Sequence, residues 1–180
     1  MVIYTKKGDK GETGLYQERS KKRRVAKNSP KIEAIGTIDE LNSAIGVSLS
    51  YCKKTRLKNL IKDIQKDLFT IGAILAGSPL RFPKTRTKKL ERVIDESEGR
   101  LPVLKSFILP GGTKLSSHLH FARTVTRRAE REVVALNQIE NIKPQILTYL
   151  NRLSDLFFVL AREVNRDAGR QEEVWQGAKK

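Results

Sequence analysis

Ile146-Leu147-Thr148-Tyr149-Leu150-Asn151-Arg152-Leu153-Ser154-Asp155-Leu156-Phe157-Phe158-Val159-Leu160-Ala161-Arg162-Glu163-Val164 is the stretch that decides the fold. Ile146, Leu150, Leu153, Phe157, Leu160 and Val164 fall 4, 3, 4, 3 and 4 residues apart. At 3.6 residues per turn, that spacing lays one apolar seam along a helix, as antiparallel bundle helices require. Pro144 marks its start. Asn151, Asp155, Phe158 and Arg162 fall opposite the seam, on a side expected to meet solvent.

The same period recurs upstream. Ile35, Ile38, Asn42, Ile45 and Leu49 carry a first helix that ends near Tyr51 or Cys52. Leu57, Leu60, Ile64, Leu68, Ile71 and Leu75 carry a second, stopped by Gly77-Ser78-Pro79. Leu90, Val93 and Ile94 mark a shorter helix closed by Gly99 and Pro102. Ser106-Phe107-Ile108-Leu109 reads as extended and enters the turn Pro110-Gly111-Gly112-Thr113. A further helix follows to about Asn137. The fold class is therefore all-α: a bundle of four long helices plus one short helix, behind an N-terminal loop. The organisation expected is one domain over 1–180, with a loop at 1–30, the bundle at 31–165 and a tail at 166–180.

Thirty-six Lys and Arg against twenty Asp and Glu leave a net charge of +16. Such an excess asks for polyanionic contacts: nucleic acid, nucleotide phosphate or an acidic membrane surface. A single cysteine, Cys52, excludes an internal disulfide framework. His118 and His120 are two apart on a helix and diverge, so a shared zinc is not expected. No segment approaches the roughly 20 apolar residues of a bilayer span. The N-terminus shows no leader pattern, and the reading is a soluble, cytoplasmic protein.

Thr5-Lys6-Lys7-Gly8-Asp9-Lys10-Gly11-Glu12-Thr13-Gly14 combines glycines and lysines in a way that lets backbone N–H groups and ammonium ions converge on an anion. Without a Gly-Lys-Ser/Thr ending it is no P-loop, and a charged terminus gives the same composition. Leu119-His120-Phe121-Ala122-Arg123-Thr124-Val125-Thr126-Arg127-Arg128-Ala129-Glu130-Arg131 is more pointed. Arg123, Arg127, Glu130 and Arg131 share a helix face, and Ser116 and His120 extend the same arc. Guanidinium forks suit phosphate oxygens; a solvated face with i,i+4 pairing would look the same. On the first helix, Asp39, Asn42, Ser43 and Gly46 form a polar strip, and Asp39 wants a cationic partner such as Arg123, within a subunit or across an interface. Phe107, just before the turn, reads by default as a core residue.

Together these blocks resemble the PduO-type ATP:cob(I)alamin adenosyltransferases. The resemblance lies in Tyr4 to Thr13, Ile32 to Asn42, Phe107 to Thr113 with the arginine helix, and Tyr149 to Asp155, in the family's order over nearly the whole chain. It implies transfer of the 5′-deoxyadenosyl group of ATP to the cobalt of cob(I)alamin, with release of triphosphate, aided by Mg²⁺. It implies a homotrimer with sites at subunit interfaces. Thr5, Lys6, Lys7, Gly8, Thr13 and Gly14 match the loop around the ATP phosphates, and Lys27 the lysine that follows it. Arg127, Arg128, Ala129, Glu130 and Arg131 match the nucleotide-binding stretch, and Asn151 its partner on the last helix. Asp39 and Arg123 match a pair bridging subunits, and Phe107 the aromatic beneath the corrin. A cobalamin reductase and a cobalamin-dependent enzyme are the partners implied. The chain departs from the pattern at Ser20-Lys21-Lys22-Arg23-Arg24, where relatives carry less charge, and at Asn28, where aspartate is frequent.

Two rivals frame this reading. A basic helical module for nucleic acid would explain the charge, but aromatic content is only 6% and no recognised motif is present. A non-catalytic cobalamin carrier would not need Asp39, Arg123, Arg127, Glu130 and Asn151 together.

Overall fold

The computed structural model describes residues 3–16 and 24–177. Of the charged stretch Ser20–Arg24, only Arg24 falls among them. Two short antiparallel strands, β1 (Glu12–Gly14) and β2 (Arg24–Ala26), are followed by five helices. These are α1 (Pro30–Ser50), α2 (Thr55–Leu75), α3 (Thr85–Glu98), α4 (Lys114–Asn137) and α5 (Pro144–Asp167). The all-α class, with four long helices and one short, is the one expected.

Local chemistry sets the helix ends. Pro30 and Pro144 occupy the first turns of α1 and α5, where a missing N–H costs nothing. Thr113 caps α4, its hydroxyl accepting from the Ser116 N–H at 3.1 Å. α2 ends in a Schellman turn: Ser78 N–H reaches Ala73 O and Gly77 N–H reaches Ile74 O, each at 2.9 Å. Gly77 sits at φ 101°, a left-handed conformation that explains the glycine.

α4 packs against both α1 and α5, α2 lies on α1, and α3 lies on α5. Leu41, Ile45, Ile64, Leu68, Leu119, Leu136, Leu153 and Phe157 fill the centre without solvent contact or nearly so. Tyr149, on the seam side of α5, is fully buried and donates to Asp67 Oδ2 at 3.0 Å. Phe82 meets the Tyr149 ring edge-on at 4.9 Å, and Arg86 approaches Asp67 at 3.3 Å. Burial pushes both Asp67 and Tyr149 above their ordinary pKa values.

Three expectations need correction. Arg162, read as solvated, is 6% exposed. Its Nε donates to Glu172 Oε1 and its Nη2 to Pro102 O, both at 2.8 Å, because the chain after α5 turns back over that side of the helix. Residues after Asp167 are thus held against the 101–109 segment: Ile108 bridges Val174, Leu109 N–H donates to Glu173 O at 2.8 Å, and Trp175 N–H donates to Phe107 O at 2.9 Å. Phe107, read by default as core, is 80% exposed. Ser116 and His120, read as part of an open polar arc, are buried.

The N-terminal segment carries the strands that periodicity did not reveal. Arg24 fastens it, with its guanidinium on the Glu12 carboxylate at 3.2 Å, on Glu12 O at 3.0 Å and on Lys7 O. Lys27 N–H donates to Gly11 O at 2.8 Å. No helix is long and apolar enough to cross a membrane among the described residues.

Candidate active site

α4 positions two adjoining cavities. The first, about 340 Å³, lies between α3, α4 and α5 and is lined by Glu98, Arg123, Arg127, Arg152, Asp155 and Phe158, among others. The second, about 740 Å³, is walled by Phe107, Pro110, His120, Arg123, Phe158 and Trp175, with the 104–108 segment closing its side. Arg123 and Phe158 line both. One cavity is cationic and the other aromatic, and a single guanidinium stands at their boundary.

Arg123 is half-buried, and its Nε finds no hydrogen-bond partner. Burial and the neighbouring Arg127 both pull its pKa below the usual guanidinium value. A buried donor of this kind asks for an acceptor. Asp39, the sequence's candidate partner, is exposed on α1 and makes no ion pair within the chain among the described residues. The intramolecular Asp39–Arg123 pair does not form. Glu40, next to Asp39, instead pairs with Arg128.

Arg127, Arg128 and Arg131 are exposed along the second half of α4, while Ala129 between them is fully buried. Arg131 Nη1 donates to Arg127 O at 3.1 Å. Asn151 Nδ2 donates to Glu130 Oε1 at 2.9 Å, joining α5 to the arginine stretch. The anion-loop residues Thr5, Lys6, Lys7, Gly8, Thr13 and Gly14 cluster around the hairpin, with the Lys27 ammonium over Gly8; a Cβ there would stand 3.3 Å from Nζ. Lys6 adopts φ 58°. No hydrogen bond or ion pair joins this hairpin to Arg127–Arg131 within the chain among the described residues.

His120 is the wall residue that sequence reading misplaced. Its ring meets Phe158 edge-on, 6.0 Å between centroids, and Nδ1 is buried without a partner. Burial, helped by Arg123, pulls its pKa down to about 4, while Glu172 opposes the shift. The imidazole is therefore neutral at pH 7. His118 points away and stacks on Tyr51 at 4.9 Å. Phe158, read on the solvent side of α5, is half-buried in this wall; Trp175 went unrecognised, and a lone tryptophan in a charged C-terminal stretch was the available signal. No group of three or more His, Cys, Asp or Glu side chains could hold a metal among the described residues.

On one helix, then, a cationic recess adjoins an aromatic one. Residues 3–164 match the family model of cobalamin adenosyltransferase, and the chain belongs to that family. It is 47% identical over 177 residues to the corrinoid adenosyltransferase of Bacillus subtilis, covering 94% of this chain and 89% of the relative. It is 42% identical over 175 residues to the corrinoid adenosyltransferase PduO of Citrobacter freundii, covering 93% of this chain but only 51% of that protein, so it spans about half of it. Among solved structures, a variant PduO-type ATP:corrinoid adenosyltransferase of Lactobacillus reuteri complexed with cobalamin and ATP superposes with a TM-score of 0.91 at 39% identity, covering 98% of this chain and 100% of that one.

Proposed function

We propose that the chain transfers the 5′-deoxyadenosyl group of ATP to the cobalt of cob(I)alamin, releasing triphosphate. The observation that carries this reading is Arg123 at the junction of the cationic and aromatic cavities. Adenosyl transfer needs such a junction, because the reacting carbon lies between a triphosphate and a corrin.

In that reaction the Co(I) electron pair forms the Co–C5′ bond, and the C5′–O bond breaks with its electrons leaving on triphosphate. No side-chain nucleophile or base is required. The protein's task is to align the partners and stabilise the charge growing on the leaving phosphates. Arg127, Arg128 and Arg131 are exposed toward that work, with Glu130 held by Asn151. Thr5, Lys6, Lys7, Gly8, Thr13, Gly14 and Lys27 supply the loop that closes over the phosphates. Phe107, Phe158 and Trp175 give the corrin an apolar bed, and Phe107 favours cobalt without a lower ligand. Mg²⁺ fits as a partner of ATP rather than a resident ion: phosphate oxygens, water and one carboxylate, Glu130, make a suitable set and neutralise the leaving triphosphate.

Among the described residues no hydrogen bond or ion pair joins the hairpin to the arginine stretch, Arg123 Nε has no partner and Asp39 makes no ion pair. A homotrimer answers both needs by setting one subunit's Asp39 against the next subunit's Arg123 and completing each site across the boundary. The reaction calls for a cobalamin reductase to supply its substrate and a cobalamin-dependent enzyme to use its product, and the compartment proposed for it is the cytoplasm. Anaerobic incubation with reduced cobalamin and MgATP tests the reading: formation of the Co–C product spectrum with loss of ATP is expected. Absence of that product, with salt-sensitive nucleic-acid binding in its place, would favour the rival.

A further inference from the structure

A third cavity, about 610 Å³, lies on the other flank of the segment that walls the aromatic one. The two share Leu104, Lys105, Ser106 and Ile108. Its size lies within the range of small-molecule sites. Leu101, Pro102, Val103 and Val174 make most of its surface apolar, and Val103 is left 86% exposed.

Four cations also line it, and they are not equivalent. Arg162 is committed to Glu172 and Pro102 O, and Arg166 to Asp167 and Arg100 O at 2.9 Å. Lys105 and Arg170 have no side-chain partner among the described residues. Glu172, the single carboxylate in the lining, is already neutralised by Arg162. The cavity thus offers an apolar surface and two uncommitted positive charges. An aromatic base linked through a phosphodiester matches both.

We propose that this cavity is the subsite for the nucleotide tail of the corrinoid, with the Val103 and Leu101 side taking the displaced axial base and Arg170 with Lys105 taking its phosphodiester. The proposal rests on the adenosyltransferase reading. It deepens that reading, because a cobalt without its lower ligand leaves the base and its phosphate needing a place. The shared 104–108 segment lets a ring in one cavity extend its tail into the next. The subsite makes the protein discriminate between corrinoids with and without a nucleotide, a preference that Arg127 and Phe107 cannot supply.

The test is steady-state kinetics with cob(I)alamin and with cob(I)inamide, which lacks the nucleotide, for the wild type, Arg170→Ala, Arg170→Lys and Val103→Asp. Both positions are exposed, so the bundle is spared. Losing a charged hydrogen bond is expected to raise KM for cobalamin roughly tenfold in Arg170→Ala. KM for cobinamide and for ATP should stay within about twofold, and Arg170→Lys should recover part of the loss. Val103→Asp should repeat the pattern by placing a charge in the apolar wall that takes the base. If wild type turns over both corrinoids and the variants treat them alike, or change neither, the subsite is wrong while the activity stands. If wild type turns over neither, the adenosyltransferase reading fails and the subsite falls with it.

Discussion

The two halves of α4 treat polar residues in opposite ways. Toward its start, Ser116, His120 and Thr126 are buried, and the two hydroxyls are satisfied locally, by Gly111 O at 3.0 Å and Ala122 O at 2.7 Å. Beyond Thr126 the guanidinium groups of Arg127, Arg128 and Arg131 stand in solvent. One half is a dry wall closed by the chain's own C-terminal segment, while the other is a wet cationic edge left open. A corrin is recognised by excluding water and a triphosphate by meeting charge, so a helix serving both must change character along its length.

Breaking the cationic half should cost most. Arg127→Ala is expected to lower kcat by about 100-fold or more, as loss of a charge stabiliser does, while circular dichroism and oligomeric mass stay those of the wild type. Near wild-type turnover would remove Arg127 from the phosphates. The aromatic side comes next. Phe107→Ala deletes an exposed ring and should impair the cobalt step by roughly ten- to a hundredfold, in line with loss of an apolar side-chain contact. Calorimetric ATP affinity should hardly move, and equal losses in both would merge the two halves into one site.

The junction gives the third test. Asp39→Arg and Arg123→Asp should each reduce activity about tenfold or more and weaken assembly, and the double swap should restore part of both if the charges meet across subunits. Analytical ultracentrifugation with activity reads the outcome; a swap no better than its worse parent denies the pair. The smallest effect concerns the dry wall alone. His120 titrates near pH 6.5 unfolded and at about 4 folded, so the unfolded chain binds the extra proton between those values. Stability should therefore fall as pH drops from 6.5 toward 4, and His120→Gln should flatten that slope in thermal unfolding.

The long helices were legible because each carries an unbroken 3.6-residue seam, as Leu57 to Leu75 and Ile146 to Val164 do. The hairpin was not, since strands of three residues such as Glu12–Gly14 hold no alternation to count. Arg127 and Arg131 lie on the exposed face of α4 expected of them, because charge on a helix face survives folding. His120, Arg162 and Phe107 were misjudged for one reason: each is covered or uncovered by the segments 101–109 and 170–176, which carry no period. Helix faces report their own helix; they do not report what chain will later lie across them.

The Arg162–Glu172 contact carries a consequence for heredity. A stop codon falling just after Asp167 would delete no helix and spare every arginine of α4. It would take away the Glu172 carboxylate together with the segment that buries Arg162, so the guanidinium would meet water rather than be stranded. The 101–109 segment would lose its Glu173 and Trp175 backbone partners, and such an allele would reach the cell as folded protein with an unsupported aromatic wall.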